Sequence, residues 1–263
     1  MKAFNFKEAI MTKLGIQISS LKAFLQAPED VFETFKKVSD IGYENIQIQW
    51  VNSEISKEII HEALQEAGLN CLGTQESYEN VTGDFDKFIQ QNALWGGDYI
   101  TISGIPEKYH SYEGCLKYAE ELNELSAYAE KYGKILNFHP RAKDVFQYES
   151  ANSLEVIFDN TRPEMQFLLD IYQIIAAGLD PVAWIEKVEG RNDLIHFKDG
   201  VISSDEEPTL TPVGQGEIDW APIIDATIKT GVKYALAEQE SFGGEPFQCL
   251  RDSYDYLVAR GIE

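Results

Sequence analysis

Met165–Gly200, MQFLLDIYQIIAAGLDPVAWIEKVEGRNDLIHFKDG, is the stretch on which the reading of the chain turns. It holds two short apolar runs, and each ends on side chains able to ligate a metal or carry a proton. FLLD ends on Asp170, and LIHFKD ends on His196, Lys198 and Asp199. Between them, DPVAWIEKVEG has the marks of a helix: Asp180 to cap the first turn, Pro181 at the first helical position and Gly190 to stop it. The spacing of 26 positions from Asp170 to His196 is about one strand, loop, helix, loop repeat. Two ligand-type side chains at the same end of neighbouring parallel strands mark the place where an α/β protein builds its active site.

Working outward, the same unit recurs in both directions. Strand patterns fall at 14–19 (LGIQIS), 44–50 (ENIQIQW), 69–75 (LNCLGTQ), 98–104 (DYITISG), 134–139 (KILNFH), from Gln166, from Leu194 and at 234–240 (YALAEQE). Helical patterns fill 28–43, 56–68, 83–97, 111–132, 152–160, 180–190, 219–231 and 246–261. Eight strands alternating with eight helices predict a (β/α)8 TIM barrel, class α/β, more than an open doubly wound sheet. A barrel of this length folds as one domain, so 1–263 reads as a single unit with 1–12 as an N-terminal extension. No Gly-x-Gly-x-x-Gly follows the first strand and no Walker-type loop occurs, so nucleotide binding has no support. VGQGEIDW (213–220) reads as a tight turn into a helix capped near Asp219 rather than a phosphate loop.

Composition narrows the function classes. The chain has 22 Lys and Arg against 44 Asp and Glu, and its net charge of −22 repels nucleic acid and anionic membranes. Cys71, Cys115 and Cys249 form no Cys-x-x-Cys pair and suit a reducing compartment. The first residues lack a signal-peptide core, and no window nears eighteen uninterrupted apolar residues, which predicts a cytoplasmic protein.

The chemistry then rests on which strand ends carry reactive side chains. His139 and Arg141 close one strand, Asp170 the next, His196 and Lys198 the next, and Glu238 and Glu240 the last. Alternation along a strand puts each of these pairs on one face. Two imidazoles and two carboxylates from four successive strands match the N/O ligand set of a single divalent ion, Mn²⁺ first, with Zn²⁺, Co²⁺ or Fe²⁺ as alternatives. Taken singly, each residue is better explained as a hydrogen-bonded structural group or a cap. Their conjunction says more, because only four histidines exist and two stand at these ends, while His61 and His110 read as surface residues. Gln17, Gln47, Gln49, Gln75 and Tyr172 point toward the same mouth and suit sugar hydroxyls or a buried hydrogen-bond network equally. Trp50 and Phe242 offer an apolar wall to a sugar face, although ordinary packing explains Trp50 as well.

These residues resemble the sugar phosphate isomerase/epimerase family, the xylose-isomerase-like barrels that also include inosose dehydratases and, more distantly, endonuclease IV. The similarity runs from about Lys13 to the C-terminus and is densest in LLDIYQIIAAGLDPVAWIEKVEGRNDLIHFKD, VGQGEIDWAPIIDA, ALAEQES and SYDYL. The resemblance implies one metal ligand on each of four successive strands: His139, Asp170, His196 and Glu238. The first is commonly Glu in the family, and His139 replaces it here, so the pair of carboxylate bases used by such epimerases is incomplete.

What remains implies proton abstraction beside a carbonyl polarised by the metal. Glu238, ligand and possible base, or Glu240 takes the proton. Lys198 returns it or holds the developing oxyanion, as a lysine beside a metal is readily shifted toward neutrality; a salt bridge is its alternative. Arg141 grips an anionic substrate group or pairs with Asp144 or Glu149. The expected function is a metal-dependent sugar or keto-sugar isomerase or epimerase on a small carbohydrate, with homo-oligomers common among such barrels. The alternative enzyme is a dehydratase or lyase on a keto-sugar or keto-glycoside. A nuclease is opposed by the charge, and a sugar-binding barrel without catalysis is the remaining class.

Overall fold

The computed structural model describes residues 11–202 and 209–263. Its first half runs β1 (Lys13–Gln17), α1 (Pro28–Ile41), β2 (Asn45–Ile48), α2 (Lys57–Ala67), β3 (Asn70–Ser77), α3 (Tyr78–Gly83), α4 (Phe85–Trp95), β4 (Tyr99–Ser103), α5 (Tyr112–Glu130) and β5 (Ile135–His139). The second half runs α6 (Ser153–Asn160), β6 (Gln166–Phe167), β7 (Leu169–Asp170), α7 (Ile171–Ala176), α8 (Pro181–Lys187), β8 (Leu194–Phe197), β9 (Asp199–Gly200), β10 (Leu210–Thr211), α9 (Trp220–Thr230), β11 (Tyr234–Ala237) and α10 (Pro246–Val258).

Nine strands hydrogen-bond in the order β6-β5-β4-β3-β2-β1-β11-β8-β7, every neighbour parallel. β6 and β7 are one stave interrupted at Leu168, whose N–H donates to Phe138 O at 2.9 Å. The chain itself therefore joins the two ends of the sheet, and the barrel expected from the sequence is present. β9 and β10 form a separate antiparallel ribbon.

Parity along each strand sorts the side chains. On β5, Leu136 and Phe138 turn outward and are fully buried, with Phe138 edge-on to Tyr118 and Phe167, while Asn137 and His139 turn inward. The shell between strands and helices is a continuous apolar core that includes Ile16, Ile46, Ile100, Phe138, Ile195 and Trp220. Inside the barrel, Leu72, Tyr99, Leu168, Leu194 and Leu236 pack into a separate apolar floor. This floor forces the polar inward residues to one end, above it, where the strands terminate.

Helix ends follow the sequence closely. Asp180 Oδ1 accepts from Val182 N (2.9 Å) and Ala183 N (3.2 Å), and Pro181 opens α8. That helix stops at Val188, earlier than expected, with Gly190 two residues on at φ 80. Two helices escaped the periodicity. α3 starts at the Ser77 cap directly beyond a β3 longer than expected, and α7 starts immediately after its own cap, Asp170, leaving no loop to announce it.

Of the N-terminal extension expected over 1–12, residues 1–10 lie outside the described residues, as do 203–208 of the acidic loop. Thr12 belongs to the barrel: it is buried and its hydroxyl donates to Val232 O at 2.8 Å. Cys71 and Cys115 are buried free thiols and Cys249 is half-buried. Among the described residues no helix is long and apolar enough to cross a membrane.

Candidate metal centre

Four inward side chains from β5, β7, β8 and the end of β11 share one construction. Each is fixed at one heteroatom and turns the other toward the middle. Asp170 Oδ1 accepts from Gln173 N (3.2 Å) as the cap of α7. Glu238 Oε1 accepts from Ser19 Oγ (3.2 Å). His139 Nδ1 meets Ser103 Oγ (3.2 Å), its register partner on β4. His196 Nε2 meets Gln47 Oε1 at 2.7 Å. An amide oxygen only accepts, so the His196 proton sits on Nε2 and Nδ1 keeps its lone pair. Gln47 is held in turn by Gln17 Nε2 (2.9 Å) and by its own donation to Thr101 Oγ1 (3.1 Å).

The other atoms of this set are buried: His139 Nε2 and His196 Nδ1 have no hydrogen-bond donor facing them, and Asp170 Oδ2 and Glu238 Oε2 share the Lys198 ammonium, each at 3.1 Å. Buried polar atoms without partners are costly and call for an explanation in each case. His139, Asp170 and His196 present ligand atoms that all lie within 4.8 Å of one another. Glu238 Oε2 joins from the side, 3.0 Å from His196 Nδ1. Burial pushes the His139 imidazole down to about 4, helped by the neighbouring His196, and pushes His196 down to about 3. Both are therefore neutral at neutral pH, the state in which an imidazole can ligate a metal. Two imidazoles and two carboxylates, each oriented by a partner behind it, fit a divalent cation of intermediate hardness.

Lys198 is the counter-charge. Its Nζ lies 3.1 Å from Asp170 Oδ2, 3.1 Å from Glu238 Oε2 and 2.9 Å from Glu240 Oε2. Burial disfavours the ammonium, but the three carboxylates outweigh it and raise the group well above its ordinary value. Of the two readings of Lys198, the salt bridge is the one present, with negative charge on three sides. Glu240 sits at the rim with its side chain 29% exposed, and burial raises its carboxyl against the opposing pull of Lys198.

The remaining candidates divide. Gln75 is buried inward on β3 with Oε1 unbonded. Arg141 is spent on Asp144, Nε to Oδ2 at 2.9 Å, the ion pair weighed as its alternative. Tyr172 OH donates to Val201 O (2.9 Å) beside the β9 ribbon. Phe242 packs against the core, and Trp50 lines a cleft with Gln49 outside the ligand cluster. Asp199 faces away from the centre and accepts from the N–H groups of Gly200, Gly214, Gly216 and Ile218 and from Trp220 Nε1 (2.7 Å). VGQGEIDW is accordingly the turn that wraps this buried carboxylate.

Sequence reading passed over Ser19, Ser103 and Asn137. Asn137 stands one step below His139 on the inner face, with both amide atoms buried and unbonded. Inward parity from His139 would have found Asn137. The two serines carry no signal until the barrel register is known.

A family model described as xylose isomerase-like TIM barrel matches residues 35–257. Among solved structures, a sugar phosphate isomerase/epimerase from Parabacteroides distasonis superposes with a TM-score of 0.78 at 19% identity, over 98% of this chain and 96% of that one. An L-ribulose 3-epimerase superposes with 0.73 at 14% identity, over 95% and 94%. A 3-keto-D-glucoside 4-epimerase from E. coli superposes with 0.72 at 18% identity, over 94% and 99%. At these identities the likeness establishes the fold. No curated protein matches the sequence significantly.

Proposed function

Because the chain belongs to the xylose isomerase-like TIM-barrel family, we infer that it is a metal-dependent enzyme that moves a proton beside the carbonyl of a sugar or keto-sugar, as an isomerase or epimerase. The observation that carries this reading is the set of four side chains, each anchored at one atom, with His139, Asp170 and His196 presenting ligand atoms within 4.8 Å of one another and Glu238 beside them. His139, Asp170, His196 and Glu238 would hold the ion, Mn²⁺ or else Zn²⁺, Co²⁺ or Fe²⁺, all of which accept a mixed imidazole and carboxylate set. When bound, the cation supplies the charge that polarises a substrate carbonyl and makes the neighbouring C–H more acidic.

The chain's own residues do the rest. Glu240 is not among the four, reaches solvent and has a raised carboxyl pKa, so it is the base that takes the carbon-bound proton. Lys198, kept as an ammonium, stabilises the negative charge that develops on the substrate oxygen and holds Glu240 at 2.9 Å. Gln75 and Asn137, inward with unbonded amide atoms, are suited to substrate hydroxyls.

A dehydratase or lyase is favoured by one feature. His139 stands where a second carboxylate base would serve two-sided proton transfer, which leaves Glu240 to remove a proton while a leaving group departs elsewhere. The test is metal content by elemental mass spectrometry on untagged protein, followed by product analysis on keto-sugars. About one ion per chain, lost in His139→Ala, Asp170→Ala, His196→Ala and Glu238→Ala, supports the centre. Products of unchanged mass identify the isomerase, and loss of water or of an alcohol identifies the lyase. Protein that neither carries nor takes up Mn²⁺ or Zn²⁺ overturns both.

A further inference from the structure

A cleft of about 860 Å³ opens at the C-terminal ends of β2 and β3 and runs down between α2 and α4, lined by Gln49, Trp50, Lys57, Glu79, Gln91 and Trp95 among others. That volume is ordinary for a small-molecule site. Two features of its lining bear on what it could hold. Gln49 is only 7% exposed, lines the cleft, and its side chain has no hydrogen-bond partner among the described residues. Its amide group therefore opens on the cleft, where its donors and acceptor are available to a ligand's hydroxyls.

Next to it, Trp50 adopts φ 57, and among the described residues it alone of the non-glycines has a positive φ. A bulky residue in the left-handed region costs free energy, so the surrounding chain must impose it. The result is an indole held 42% exposed, whereas Trp95, Trp184 and Trp220 are all buried. Lys22 Nζ stands 4.8 Å from the Trp50 ring centroid and steadies the ring.

We propose that this cleft binds a pyranose ring, stacked by its C–H face on Trp50 and hydrogen-bonded through its hydroxyls by Gln49. The ligand class rests on the carbohydrate reading above and deepens it. The lining argues for a neutral sugar: Lys57 and Lys87 stand among Glu76, Glu79 and Asp84, so no net positive field exists to hold a phosphate. The amphipathic indole matches a ring that is apolar on its faces and polar at its edge. The site also adjoins the metal centre. Gln49 lies two positions beyond Gln47, which orients His196, and directly follows the end of β2. The cleft is thus placed for the unreacting ring of a glycosidic substrate.

Saturation-transfer NMR and calorimetric titration with cellobiose on the full chain test this. Wild type should transfer saturation to the sugar ring protons and bind saturably. Trp50→Gly, which suits φ 57 and should keep the melting temperature, should abolish the signal, and Gln49→Ala should weaken binding about fivefold or more. His196→Ala should leave cellobiose binding intact. No saturable binding in wild type overturns the proposal, as does undiminished binding in Trp50→Gly or Gln49→Ala, or its loss in His196→Ala, which would put the sugar over the metal centre instead. Retained cellobiose binding in protein that takes up no metal would sink the enzymatic reading alone.

Discussion

Gln47 on β2 and His196 on β8, 149 positions apart, are joined across the barrel interior by a 2.7 Å hydrogen bond. The strands do not adjoin, since β1 and β11 lie between them. The contact therefore passes through the barrel, above the apolar floor, and fixes which imidazole nitrogen faces the four-residue centre. Gln47→Leu removes that acceptor and should lower Mn²⁺ affinity about 10- to 100-fold in competition with a chromogenic chelator. Gln47→Glu, which keeps an acceptor, should lose less. Equal affinity in all three proteins would mean that the bond does not orient the ligand.

Lys198 neutralises carboxylates that otherwise repel one another in a buried space. Lys198→Met should destabilise the metal-free protein by about 3 kcal/mol or more, because it leaves buried charges unpaired. Added Mn²⁺ should then recover more stability in the variant than in wild type. Urea unfolding with and without the ion reads both, and equal recovery in the two proteins would contradict the account.

The histidine pair gives metal-free protein a definite pH dependence. Both groups have folded values depressed below the ordinary 6.5, so the unfolded chain binds their protons first. Their contribution is fully present above about pH 6.5 and is lost as pH falls toward about 4 for His139 and about 3 for His196. The loss across that window should reach a few kcal/mol. Stability measured by denaturant between pH 7 and 4 should slope downward, and less steeply in His196→Gln. A flat wild-type profile would sink the assignment.

Asp199 gathers five donors without exposing any of its surface. Asp199→Ala should cost about 3 kcal/mol or more by orphaning them. Gly216→Ala attacks the same contact, since a Cβ there would stand 2.1 Å from Asp199 Oδ1. The double variant should lose clearly less than the sum of the two. Additive losses in chemical denaturation would show that turn and carboxylate act independently.

Much of this was legible before any coordinates. The alternation in KILNFH and LIHFKD turns His139 and His196 inward, and the caps at Asp180 and Asp219 bound their helices where the chain indicates. Local chemistry is enough for these, because hydrogen-bond geometry within one turn is a property of adjacent residues. α7 was not legible, because Asp170 is at once the end of a strand, the cap of a helix and a member of the centre. One residue serving three purposes leaves no separate signal for each.

The sequence by itself determined the class of fold and put His139, Asp170, His196 and Glu238 at the same end of successive strands, since both follow from period, parity and residue type. Tertiary structure alone decided how those side chains are used. It assigned Arg141 to Asp144, ringed Lys198 with three carboxylates, turned Asp199 away into a turn of glycines, and set Ser19, Ser103 and Gln47 behind Glu238, His139 and His196. The physical reason is that a protonation state or a ligand's orientation depends on burial and on atoms brought within about 3 Å from distant parts of the chain. No local pattern encodes those neighbours before the barrel closes.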